Sequence, residues 1–189
     1  MRSLVLLLAL GALLAPERAS AAVFHSKESA LRLAFPDADS VTVRDLFLSD
    51  EEAGQVERAA RSPVESRLVS VYVGHRDSRV TGYAFFDTHR VRTLPETFLL
   101  VLGPAGRVRG THLLAFHEPP EYQPPARWLE RFAGRVLDDD LALGRDVDGI
   151  TGSTLTAHAL TAAVRRLLAV HRVKLAPENG VILGRTETR

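Results

Sequence analysis

The sequence predicts an α+β fold: a twisted antiparallel sheet built from two hairpins, with helices packed against it. Two pairs of apolar runs, rich in β-branched and aromatic residues, are each joined by a short glycine-containing turn. Segments with helical spacing precede and follow these runs. The 189 residues are 46% hydrophobic and 25% charged, the composition of one ordinary globular domain with a sizeable core.

The elements follow in order. Met1-Arg2-Ser3 is a short basic start, residues 4–15 (LVLLLALGALLA) are an apolar run, and Ala19-Ser20-Ala21 places small residues at −3 and −1. That is the layout of a secretory signal peptide over residues 1–21. The run is too short to cross about 30 Å of hydrocarbon as a helix. The expected location is therefore periplasmic or otherwise extracytoplasmic, with membrane association if the segment is retained. Residues 22–63 are expected to form a helical extension. Within it, Ala30, Leu31, Ala34 and Phe35 recur at helical spacing before Pro36, and Ser49 with Glu52 forms a capping box for a helix ending near Arg61.

The expected domain spans residues 64–172. Residues 68–73 (LVSVYV) and 80–86 (VTGYAFF) form the first hairpin around a turn at 74–78, with Tyr72, Tyr83, Phe85 and Phe86 as its core. Residues 97–102 (TFLLVL) and 107–116 form the second around Gly103-Pro104-Ala105-Gly106. Arg90-Val91-Arg92 with Asp87 reads as a solvated loop. Residues 117–125 (HEPPEYQPP) hold four prolines in nine positions, a stiff loop. Two helices are expected after it, at 127–137 and 152–171. The second has an apolar stripe of Leu160, Val164, Leu167 and Leu168, with Arg165 and Arg166 pointing away. Residues 173–189 are expected to be a tail, with 181–183 at most adding an edge strand.

The absence of cysteine excludes disulfides, thiolate metal sites, Cys-ligated iron–sulfur clusters and thioether-attached haem. A net charge of +1 gives no footprint for nucleic acid. The seven histidines are scattered, and His117-Glu118 lacks the spacing of a zinc motif. No G-x-G-x-x-G follows a strand, so direct oxidation of a nicotinamide is not expected.

The chemistry concentrates in Asp148-Gly149-Ile150-Thr151-Gly152-Ser153-Thr154-Leu155-Thr156. Four hydroxyl residues and two glycines stand at the mouth of a long helix, where free N–H groups and a partial positive charge favour an anion. Thr151 is the expected N-cap, which places Thr154 at N3. Two readings stay open from physics alone: a phosphate or carboxylate site, or Ser and Thr residues that merely cap the helix.

The run Asp148-Gly149-Ile150-Thr151-Gly152-Ser153-Thr154 resembles the flavinylation signature D-G-x-[S/T]-G-A-T of the FMN-binding domain. That family includes subunits of the sodium-translocating NADH:quinone reductase, Rnf complexes and related exported redox proteins. The resemblance covers roughly residues 67–172 and is concentrated in the nine residues ending at Thr156. It implies covalent FMN, esterified through its phosphate to Thr154 by a flavin transferase. It also implies a cofactor site made of Asp148, Thr151, Gly152, Ser153, Thr154 and Leu155. The family's upstream E-T-P-G loop corresponds to Glu118-Pro119-Pro120-Glu121, which keeps Glu118 and Pro120 and changes the other two. Ser153 replaces the usual Ala. The implied protein is an electron-carrier subunit rather than a stand-alone enzyme, with membrane or exported redox partners. An exported ligand-binding or sensory module, holding a non-covalent anion or flavin at the same helix mouth, is the alternative.

Overall fold

A computed structural model describes residues 22–176. The signal-peptide expectation at 1–21 and the edge strand expected at 181–183 lie outside the described residues. Six strands form one antiparallel sheet: β1 (Ala22–Val23), β2 (Ser40–Phe47), β3 (Leu68–Arg76), β4 (Arg79–Arg90), β5 (Pro95–Leu102) and β6 (Val108–Phe116). Their spatial order is β1-β6-β5-β4-β3-β2. The helices are α1 (Lys27–Ala34), α2 (Asp50–Ala60), the one-turn α3 (Ala126–Leu129) and α4 (Thr154–Lys174). The sheet is open and twisted, and the α+β expectation holds.

Both hairpins form where the sequence places them. The first turn is tighter than expected, since β3 continues to Arg76 and only Asp77 and Ser78 turn the chain, both at positive φ. Such a two-residue turn matches the twist of the strands it joins. The second hairpin turns through Gly106 at φ 77°, where an added Cβ would lie 2.6 Å from the His171 ring. Only glycine satisfies both the left-handed backbone and that close approach.

Central strands are buried on both faces. Tyr83, Phe85, Phe98, Leu100 and Leu102 join the larger core with α2, α3 and α4, whereas Ala84, Leu99 and Val101 meet α1 on the opposite face. Residues 98–102 are thus a continuous apolar run because alternate side chains enter different cores.

Four expectations are corrected. The segment 22–63 is not a purely helical extension, because β1 and β2 within it join the sheet. β2 pairs with β3 from Ser40↔His75 to Phe47↔Leu68. It is an edge strand whose Val41 and Val43 alternate with polar residues yet lie exposed, as does Phe47, so that only Leu46 is buried. The helix expected at 127–137 is only α3 followed by a 3-10 turn at Glu130–Phe132, and Gly134 at φ 79° takes the chain out of helical space. Arg165 does not point away from the core. It is 5% exposed, and its guanidinium donates to the carbonyls of Ala59, Ala60, Asp138 and Leu141. Asp87 is likewise no solvated loop residue: it is largely buried and pairs with Arg166.

Two outcomes are expected. Arg165→Met should lower unfolding free energy in urea by about 3–5 kcal/mol, because it leaves buried carbonyls without donors. Arg165→Lys should not recover the loss, since one ammonium cannot reproduce the fork. The second concerns Glu96, fully buried on β5. Burial, followed by the nearby Asp87 charge, pushes its carboxyl from 4.5 up to about 8. The folded state therefore retains this proton where the unfolded state has lost it. Stability from this group is complete below the unfolded value and declines as pH rises towards 8, by at most roughly 1.4 kcal/mol per pH unit. Glu96→Gln should flatten that decline when urea unfolding is compared at about pH 5 and about pH 8.5.

Candidate functional site

The mouth of α4 is reached through an irregular stretch that buries Leu137, Leu141 and Val147 between charged residues. Gly152, at φ 80° and with open space around it, makes the last turn before the helix. Helical dihedrals cannot begin before such a residue, so the N-cap is Ser153 and not Thr151. Thr154 is consequently the first helical residue rather than the third, and the helix extends to Lys174.

Ser153 occupies the cap position without capping. Its hydroxyl donates instead to the Glu121 carbonyl at 3.1 Å, and no side chain caps the first turn. The first intrahelical bond runs from Ala157 N–H to the Ser153 carbonyl. Thr156 is also diverted, its Oγ1 donating to the Tyr122 carbonyl at 2.9 Å. These two bonds hold the proline-rich loop against the helix mouth, as the sequence placed it. Ser153 and Thr156 are 3% and 1% exposed, whereas Thr151 and Thr154 are open to solvent. The first-turn N–H groups thus lie beside an exposed hydroxyl, in the positive end of a 21-residue helix.

A cleft of about 690 Å³ adjoins this mouth, between α3 and residues 148–151. Its walls include Trp128, Arg127, Arg131, Ile150 and Thr151. The Trp128 Nε1–H donates to the Asp148 carbonyl at 2.7 Å, and Arg131 pairs with the Asp148 carboxylate at 2.7 Å. Asp148 therefore ties the motif to α3. Leu155, 53% exposed, projects outward from the first turn. Arg127, Trp128 and Arg131 were not singled out from sequence, although two arginines four apart beside a tryptophan were a signal for an anion-tolerant aromatic cleft.

Glu118 and Pro120 belong to the loop but stand differently. Pro120 is exposed at the start of the 3-10 turn Pro120–Tyr122. Glu118 is 6% exposed, and its Oε1 accepts from the backbone N–H groups of Arg92, Thr93 and Leu94 at 3.0, 2.7 and 2.8 Å. Burial alone would raise its pKa, but the bonds from Leu94, Thr93 and Arg92 outweigh it and the net shift is downward. The Arg92 guanidinium also lies 4.9 Å from the Tyr122 ring centre. A continuous path therefore links the β4–β5 turn, through Glu118 and Tyr122, to Thr156.

The residues fit a phosphate ester: uncapped N–H groups, an exposed hydroxyl among them, and a polar cleft alongside. Among the described residues no group of three or more His, Asp or Glu side chains could hold a metal ion, and no helix is long and apolar enough to cross a membrane. No protein-family model matches the chain, and no curated protein matches it.

The Glu118 bonds are stronger with its carboxylate ionised, since a charged acceptor holds the three N–H groups more tightly than a neutral carboxyl does. Because its folded pKa is depressed, its contribution is present above the ordinary value near 4.5 and is lost as pH falls through the lower one. Amide hydrogen exchange at Arg92, Thr93 and Leu94 should accelerate across that acid range beyond its intrinsic pH trend. In Glu118→Gln these amides should exchange faster already at neutral pH, without the acid step.

Proposed function

We propose that this protein is an exported electron-transfer flavoprotein carrying FMN through a phosphoester to the Thr154 hydroxyl, within a redox chain. The observation that carries the reading is the division of labour among the hydroxyls of the motif. Ser153 and Thr156 are buried and bonded to loop carbonyls, while Thr154 stands exposed at the first position of an uncapped helix. The resemblance of residues 148–154 to a flavinylation signature supports the same acceptor, and the signal-peptide pattern supports export.

A phosphodiester retains one negative charge, which the first-turn N–H groups of α4 would hold by hydrogen bonds and by the helix dipole. Gly152 keeps the approach free of a side chain. Trp128, Arg127 and Arg131 line the adjacent cleft, offering an aromatic wall and two cations beside the attachment point. Flavin, when bound, supplies one- or two-electron transfer, which a chain without cysteine does not supply itself. A covalent tether also prevents loss of the cofactor by dilution outside the cytoplasm. Loading requires a flavin transferase, and electrons would pass to and from membrane or exported redox partners.

The uncapped N–H groups also favour a second reading, in which the same mouth holds an anion or flavin non-covalently as a binding or sensory module. One measurement separates the two. After co-production with a flavin transferase, the tryptic peptide of residues 146–165 should carry the mass of one FMN less one water, with fragments placing it on Thr154. Thr154→Ala should lose that mass and keep the fold, because its side chain is exposed. Ser153→Ala and Thr156→Ala should keep it, each losing about 1 kcal/mol of stability with its loop bond. An unmodified wild-type peptide, or the added mass on Thr151, Ser153 or Thr156, would overturn the assignment.

A further inference from the structure

A second cluster of ionisable groups lies beneath α4, away from the helix mouth. On β4, His89 Nδ1 is 2.7 Å from Asp87 Oδ1, and Asp87 Oδ2 accepts from Arg166 of α4 at 3.0 Å. Directly across the strand pair from His89 stands Glu96, with its Oε1 4.0 Å from His89 Nε2. His89 Nε2 and both Glu96 oxygens are buried without a hydrogen-bond partner among the described residues. The Phe98 ring packs edge-on against His89 at 5.8 Å and holds its orientation. Asp87 and Arg166 form part of the wall of a pocket of about 300 Å³, together with Ser66, Ser70 and Thr88. The groups therefore stand in line from the pocket to the interior: Asp87, then His89, then Glu96.

We propose that Asp87, His89 and Glu96 form an internal proton site, which stores one proton on Glu96 and exchanges it with solvent through His89 and the pocket beside Arg166. The two carboxyls are pushed apart by their surroundings. Burial would raise Asp87 too, but its bond to His89 and the charge of Arg166 hold it below the usual range. Burial and the Asp87 charge raise Glu96 to about 8. A neutral inner acid and an ionised outer base, bridged by an imidazole, are the parts of a proton relay.

Release begins when rotation of the Glu96 carboxyl closes the 4.0 Å gap. The Glu96 O–H bond breaks as His89 Nε2 takes the proton, and His89 Nδ1–H passes to Asp87. Asp87 then yields it to hydroxide in the pocket, forming water. The net change is one carboxyl ionised, one hydroxide consumed and the His89 proton moved from Nδ1 to Nε2, and proton uptake runs the same steps in reverse and restores the first tautomer. This proton site requires no cofactor, so its test stands whichever way the threonine assignment falls.

Infrared difference spectra of the full chain should show a protonated carboxyl band at about pH 6.5 that shifts in D₂O, disappears through about pH 8 and is absent from Glu96→Gln. After a jump from about pH 6.5 to about pH 9.5, the band should decay about tenfold more slowly in His89→Gln than in the wild type. Asp87→Asn, which interrupts the outer step, should slow the decay likewise and serves where His89→Gln does not fold. Absence of the Glu96 band at about pH 6.5 in the wild type would overturn the site. Decay at the wild-type rate in a folded relay variant would overturn the route.

Discussion

The guanidinium of Arg165 lies in the interior among main-chain carbonyls. Two of them, from Ala59 and Ala60, are the last carbonyls of α2, which that helix cannot satisfy itself. The other two, from Asp138 and Leu141, belong to the irregular stretch that leads to the helix mouth. One side chain thus joins α4 to the negative end of α2 and to a segment lacking regular hydrogen bonding. Without it, neither the packing of α2 nor the course of residues 138–141 would have an internal anchor at this point.

The mouth of α4 depends on that anchorage and on two hydroxyls of its own. Ser153 and Thr156 face inward to the proline-rich loop, and Lys174 reaches Glu52 of α2 near the far end. The helix is therefore held at its start, middle and end, and the direction of its first turn follows from these contacts. A loop rich in proline suits the task, because prolines leave carbonyls free to accept while contributing no N–H of their own. The helix mouth combines a rigid helix with a stiff loop, an arrangement with little conformational freedom left to lose.

Much of the sheet was legible because its signals are local. The hairpins announce themselves through β-branched runs and turn residues, and Ser49 with Glu52 makes the expected reciprocal cap. β2 was missed although Val41 and Val43 alternate with polar residues, since that run is short and breaks at Arg44-Asp45, and the strand is defined by its pairing with β3. The fate of Arg165 was hidden for a related reason. An arginine beside another arginine on a helix normally faces water, and only carbonyls brought from 24 to 106 residues away make burial tolerable. At the mouth of α4, the sequence placed the helix start within a few residues but shifted its register. Thr151 looked like the cap, yet Gly152 turns the chain between it and the helix. The bonding of Ser153 and Thr156 could not be foreseen, because carbonyl acceptors carry no side-chain signature.

The placement of α4 at the end of the described chain governs how the fold can be assembled. This helix contributes heavily to the larger core, yet it meets partners far behind it in sequence, such as Glu52 from Lys174 across 122 positions. Local hairpins can close early, but the apolar face of the sheet stays uncovered until α4 arrives. High contact order of this kind slows folding, because loop-closure entropy is lost before long-range contacts compensate it. A chain interrupted before Thr154 would expose that face together with the unpaired edge of β2, inviting intermolecular association. Among the described residues, α4 is therefore the element that closes the larger core over the hairpins.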